Sequence, residues 1–255
     1  MRNNTIIGAI VLIIVVGGLF WYALGRPTGQ PGGAPSAATF TVPALSPYTE
    51  ETDLYTIAAN YPTTTPLEGN LNDGALALMR GWVSDTITQF KKDGNFANLT
   101  PEDKHLLGFD QGRRYSLTVA YLFGTSENTL SYIFTIYEDT GGAHGNTFFK
   151  TFTFDTRTGA VLSLADLFTP GSDYLATLSQ ISRSRLPDII GAPADFTAIK
   201  DGTTPEAKNF QNFFFDGTDF VVLFPPYQVA AYAAGPQTLR IQKSQLFDIL
   251  KTAYH

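Results

Sequence analysis

Tyr115-Ser-Leu-Thr-Val-Ala-Tyr-Leu-Phe123 decides how the folded part of this chain is read, because its odd positions are all apolar or aromatic and alternate with smaller or polar residues. That is the period-two pattern of a strand with one face against a core. Thr129 to Glu138 and Thr147 to Asp155 follow in the same style, with Phe148, Phe152 and Phe154 on one face. Three strand-like runs separated by short polar breaks predict antiparallel pairing. Further along, Asn212 to Phe215 and Phe220 to Phe224 flank Asp216-Gly217, a hairpin signal, and Thr238 to Gln242 supplies a final strand. Upstream, Leu54 to Ala59 reads as a short strand stopped by Asn60-Tyr61-Pro62.

Helices are fewer. Asn72 to Lys92 carries Leu76, Met79, Val83, Ile87 and Phe90 at spacings of three and four, with Asn72 as its cap. Thr100-Pro101-Glu102-Asp103 has the grammar of a second helix start. Asp173 to Arg185 is expected to be helical and to end at Leu186-Pro187, and Ser244 to cap a terminal helix reaching Thr252. The fold class expected is therefore α+β: antiparallel sheets with a few packed helices.

A different physics governs the beginning of the chain. Thr5 to Leu24 is 20 residues without a charge, enough for a helix of about 30 Å to cross a bilayer, and Trp21 and Tyr22 sit at its end where interfacial rings prefer to lie. One N-terminal transmembrane helix is expected to precede the α+β part. Ser36-Ala37-Ala38 offers a signal-peptidase alternative, but bulky residues close the apolar run and three prolines intervene. The expected organisation is a cytoplasmic stub (1–4), a signal anchor (5–24), a linker with four Gly and three Pro (25–38), an N-terminal domain (39–155) and a C-terminal domain (156–255).

Composition narrows the function. The chain has 255 residues and a net charge of −6; without Arg2 and Arg26 it has 23 acidic against 15 basic residues, a net of −8. Such a surface gives no reason to attract nucleic acid. Charged residues are only 16% and aromatics 13%, a mixture suited to sheets. With no cysteine, disulfides, thiolate metal sites and cysteine nucleophiles are absent. Of the three histidines, His255 is terminal and expected to fray, and His105 has no second histidine beside it for zinc. No phosphate-binding glycine loop, G-x-S-x-G or HExxH occurs. Neither a metal nor a cofactor is expected.

His144 stands out, because Thr140-Gly-Gly-Ala-His-Gly145 places it among Gly141, Gly142 and Gly145 between two strands. Glu138 and Asp139 precede it and are placed to orient an imidazole. Phe224 to Pro236 is the other dense segment, where Tyr227, Tyr232 and Gly235 form a candidate recognition surface. A structural loop and aromatic packing against the sheet are the plainer readings of these two segments.

Gly141 to Gly145, the run Asp155 to Phe168, and Pro226 to Gly235 resemble the extracytoplasmic part of the RsiV family of bacterial membrane-spanning anti-sigma factors. Leu54 to Pro62 and the helix after Asn72 resemble the N-terminal domain shared by RsiV and the peptidoglycan deacetylase PdaC. The resemblance spans roughly residues 40 to 252. It implies an α+β ectodomain, which in RsiV senses lysozyme. Only Met1 to Asn4 stand where a sigma-binding region would be, the metal motifs of the deacetylase domain are missing, and Ala231 replaces an expected proline. The function expected is a membrane-anchored, extracytoplasmic, non-catalytic protein that binds peptidoglycan or a lysozyme-like protein, with residues 141, 142, 144, 145, 227, 232 and 235 as its site. The alternative is a cell-wall hydrolase using His144 with a carboxylate such as Asp139.

Overall fold

The computed structural model describes residues 45–255; the stub, the expected membrane helix Thr5 to Leu24 and the linker lie outside them. The first sheet has five strands in chain order: β1 (Leu45–Glu51), β2 (Tyr55–Pro62), β3 (Tyr115–Ser126), β4 (Thr129–Asp139) and β5 (Asn146–Asp155). β3, β4 and β5 pair antiparallel, as their alternation predicts. β2 and β3 instead run parallel, with Tyr55 opposite Tyr115 and Ala59 opposite Val119. The sheet is therefore mixed, a correction to the all-antiparallel expectation. The cause is the segment between them: helix α1 (Gly69–Asp93) carries the chain back to the end of the sheet it left, and the next strand must run in the same direction.

α1 buries Ala75, Leu76, Met79, Val83, Ile87 and Phe90, one helical face. These residues pack with Ile57, Leu117, Val119, Tyr132, Phe134, Phe152 and Phe154 from the sheet. The helix begins three residues earlier than its cap-like Asn72 suggests. Asn72 Oδ1 instead accepts from the amide and hydroxyl of Thr65, at 2.8 and 3.0 Å, and pins the β2–α1 connection. Thr100 does cap helix α2 (Pro101–Leu106), forming a reciprocal box with Asp103.

A second sheet, β6 (Phe213–Asp216), β7 (Asp219–Phe224) and β8 (Gln237–Gln242), is antiparallel throughout. Around it lie helices α3 (Leu164–Leu167), α4 (Tyr174–Ile190) and α5 (Phe196–Gly202), with their own core of Phe168, Leu178, Leu186, Phe210, Phe220 and Ile241. α4 continues through Pro187, where the sequence suggested a stop. Pro187 forfeits one backbone bond, but fully buried Leu186 before it and Ile190 after it are held by this core. The expected terminal helix is replaced by short 3-10 turns at Lys243–Gln245 and Thr252–Tyr254. Its backbone bonds go sideways: Thr169 N–H donates to the Ile249 carbonyl and Lys251 N–H to the Leu167 carbonyl.

The two sheets meet through Ile133 of β4 and Phe214, Val221 and Leu223 of the second sheet. β4 is thus covered on both faces, which explains its unbroken burial from Thr129 to Ile136.

Candidate functional site

The loop joining β4 to β5 and the segment joining β7 to β8 come together, and they carry the residues singled out in the sequence. His144 lies flat against Tyr232, with ring centroids 3.8 Å apart and planes 18° from parallel. Tyr227 completes the group, its hydroxyl 3.1 Å from His144 Nε2 and its ring 5.4 Å from Tyr232.

The hydrogen bonds fix the imidazole. Its Nδ1 lies 3.0 Å from the Gly145 carbonyl, which can only accept. Nδ1 therefore donates to it, and where the ring carries no second proton Nε2 accepts from the Tyr227 hydroxyl. Tyr232 donates to the same Gly145 carbonyl at 2.8 Å. His144 is held by two bonds and one stacked ring.

Two backbone features place these rings. Tyr227 adopts φ +71°, a left-handed conformation rare for a tyrosine and costing about 1–2 kcal/mol. Gly235 has φ +69° and ψ −171°, open to glycine alone. A side chain at Gly145 would overlap both the hydroxyl and the ring of Tyr137, so glycine lets the loop lie against that side chain. Gly141 is held from outside, its carbonyl accepting from Arg113; an added Cβ at Gly142 would meet only the His144 carbonyl oxygen, at 3.8 Å, an ordinary contact.

The expected acid partner does not form. Asp139 Oδ1 accepts from the Gly141 amide at 2.8 Å and shapes the loop, while Glu138, the next residue back, sits on the opposite face of β4. Neither carboxylate reaches His144, so the dyad of the hydrolase alternative is not assembled. Tyr137 is the residue the sequence reading missed. Burial raises its phenol's pKa first, followed by the charge of Asp139, and its only sequence signal is its place at the end of β4 beside the glycine loop.

The other histidines lie apart. His105 Nδ1 is 2.6 Å from Asp110 on the surface, and that bond raises its pKa. His255 is packed, not frayed: its ring lies 4.1 Å from Phe247 and its Nε2 is 3.1 Å from the Leu250 carbonyl. Among the described residues no group of three or more His, Asp or Glu is placed to hold a metal. Among them also, no helix is long and apolar enough to cross a membrane.

The site is thus a bed of three rings, with Tyr227 60% exposed on top. Residues 165–244 match the family model described as "Protein of unknown function (DUF3298)". That span holds Tyr227, Tyr232 and Gly235, but stops short of the His144 loop. The chain is also related to the peptidoglycan-N-acetylmuramic acid deacetylase PdaC of Bacillus subtilis (strain 168), being 33% identical over 201 residues. The match covers 78% of this chain but only 40% of that protein's length. A solved member of the DUF3298 family from Bacteroides fragilis NCTC 9343 shares the α+β fold, with a TM-score of 0.54, 17% identity, and coverage of 82% of this chain and 93% of that one. A second, from Pseudomonas aeruginosa PAO1, has a TM-score of 0.46 and 14% identity, covering 83% and 94%.

Proposed function

We propose that this chain is a cell-envelope protein that binds peptidoglycan, without cleaving it, through the surface of Tyr227, His144 and Tyr232. The reading takes Thr5 to Leu24 as the membrane anchor, with the two parts 39–155 and 156–255 held outside the cytoplasm. The observation that carries it is the exposed Tyr227 ring, kept in a costly backbone conformation and buttressed by His144 from below. A pyranose presents C–H groups on its face and hydroxyls at its rim; an exposed ring with a phenol at its edge offers both contacts. The relative's name points to peptidoglycan as the glycan within reach of such a surface. A binding role also suits an imidazole whose two nitrogens are both engaged.

The acidic balance of the chain favours a second ligand, a basic lysozyme-like protein, through faster encounter, and the likeness to RsiV points the same way. Co-sedimentation of the detergent-solubilised full chain with purified peptidoglycan, run beside capture on immobilised lysozyme, separates the two. Saturable co-sedimentation supports the first reading and capture on lysozyme alone the second; binding to neither overturns both.

A further inference from the structure

Glu138 opens onto a different feature. On the α1 face of the first sheet lies a cleft of about 450 Å³, within the size range of small-molecule sites. Trp82, Asp85 and Asp93 line it from α1, Glu138 from β4, and Phe148 and Lys150 from β5. The α1 residues recur at helical spacing and form one stripe.

Its chemistry is unbalanced. The half-buried Glu138 carboxyl has no hydrogen bond or ion pair among the described residues, and both burial and the charge of Asp93 hold its pKa above the usual carboxylate value. A carboxyl perturbed by burial and a named neighbour, sitting in a cleft, marks a candidate site. Asp93 is exposed and among the described residues accepts only from Gln89, at 2.7 Å. The one cation present, Lys150, is turned onto the Phe152 ring at 5.0 Å and pairs with neither acid. Phe148 is 45% exposed at the rim, and Trp82 shows part of its indole.

We propose that this cleft binds an amino sugar whose nitrogen is a free, protonated amine. An ammonium beside Glu138 and Asp93 supplies the donor that Glu138 lacks and the cation that neither carboxylate has, and removes their mutual repulsion. The sugar's C–H face lies against Trp82 and Phe148, and the ammonium gains further from the nearby rings. An N-acetylated sugar presents a neutral amide and a methyl group to the two carboxylates, so the cleft selects against it.

The test is calorimetric titration of the detergent-solubilised full chain with a glucosamine tetramer and with its N-acetylated counterpart. The expected result is at least about tenfold tighter binding of the free amine, the loss of one good charged contact. Glu138→Gln and Asp93→Asn each remove that preference while the unfolding midpoint stays put. Phe148→Ala weakens binding, and Lys150→Ala, which removes a like charge, strengthens it. Tyr227→Ala leaves the preference intact, which separates this cleft from the His144 surface. Equal affinity for the two tetramers, no binding of the amine, or a preference that survives Glu138→Gln would each overturn the proposal.

Discussion

Replacing Gly202 with alanine sets two physical effects against each other. Gly202 is the last residue of α5 and its φ is not in the left-handed region. Helix propensity alone therefore favours alanine by up to about 1 kcal/mol. The surroundings oppose it. An added Cβ would overlap the Gln228 carbonyl oxygen and stand 2.7 Å from its carbon and 3.0 Å from Val229 Cγ1. These are backbone and core atoms, since Val229 is 1% exposed. The Gln228 side chain also donates to the carbonyls of Gly202 and Asn209, both at 2.9 Å, so α5 and the segment carrying Tyr227 cannot part without losing those bonds. Overpacking of this kind costs about 1–3 kcal/mol, and two strained hydrogen bonds add about 1 kcal/mol. The expected net is a loss of about 2 kcal/mol by urea unfolding, or a midpoint lowered by about 4–8 °C in a chain of this size. Because residue 228 follows Tyr227 directly, ligand binding should weaken as well. A neutral or stabilised Gly202→Ala variant would refute the reasoning, since it would mean that the Gln228 segment is free to move.

Other perturbations read other parts of the structure. Glu50 is held at about 2 by Lys91 first, then by Tyr48 and Tyr55, with Lys91 at 2.5 Å. Because its folded value is depressed, this contribution is present above its usual value near 4.5 and fades as pH falls toward 2. Both side chains are partly exposed, so about 1 kcal/mol is expected, seen as a urea-midpoint gap between wild type and Glu50→Gln at pH 7 that closes by pH 2. Asp155 is buried and accepts from the Arg157 and Thr158 amides, the Arg157 guanidinium and Tyr254; Asp155→Ala should cost about 3 kcal/mol by the same unfolding assay. Phe134, fully buried between Trp82 and Phe152, should cost about 3–5 kcal/mol on truncation to alanine.

Strong periodicity made β3, β4, β5 and α1 legible in the sequence, because each buries a regular set of large side chains. β1 was not legible: Leu45–Glu51 contains Pro47 and two glutamates, the chemistry of an edge strand that guards against further pairing. α5, at seven residues, is too short for a helical period to declare itself. The parallel pairing of β2 and β3 depends on where α1 returns the chain, which no local pattern records. Ser244 and Pro187 misled for one reason: propensity at a helix end yields to tertiary contacts, the bonds of Leu167 and Thr169 in one case and the burial of Leu186 in the other. At the candidate site, the glycine loop and the two tyrosines were visible as residue types. The positive φ of Tyr227, the contact of Tyr137 with Gly145 and the diversion of Asp139 to a backbone amide were not, because each depends on how a loop folds back in space and not on residue type.

The central claim is that Tyr227, propped on His144, contacts the ligand. Its most direct test is the peptidoglycan affinity of the full chain against that of Tyr227→Ala, with urea unfolding measured on both. Tyr227 is exposed and its neighbours keep their packing, so the variant should unfold like wild type and bind at least about tenfold more weakly, the loss expected of one aromatic anchor. Equal affinity at equal stability would contradict the account.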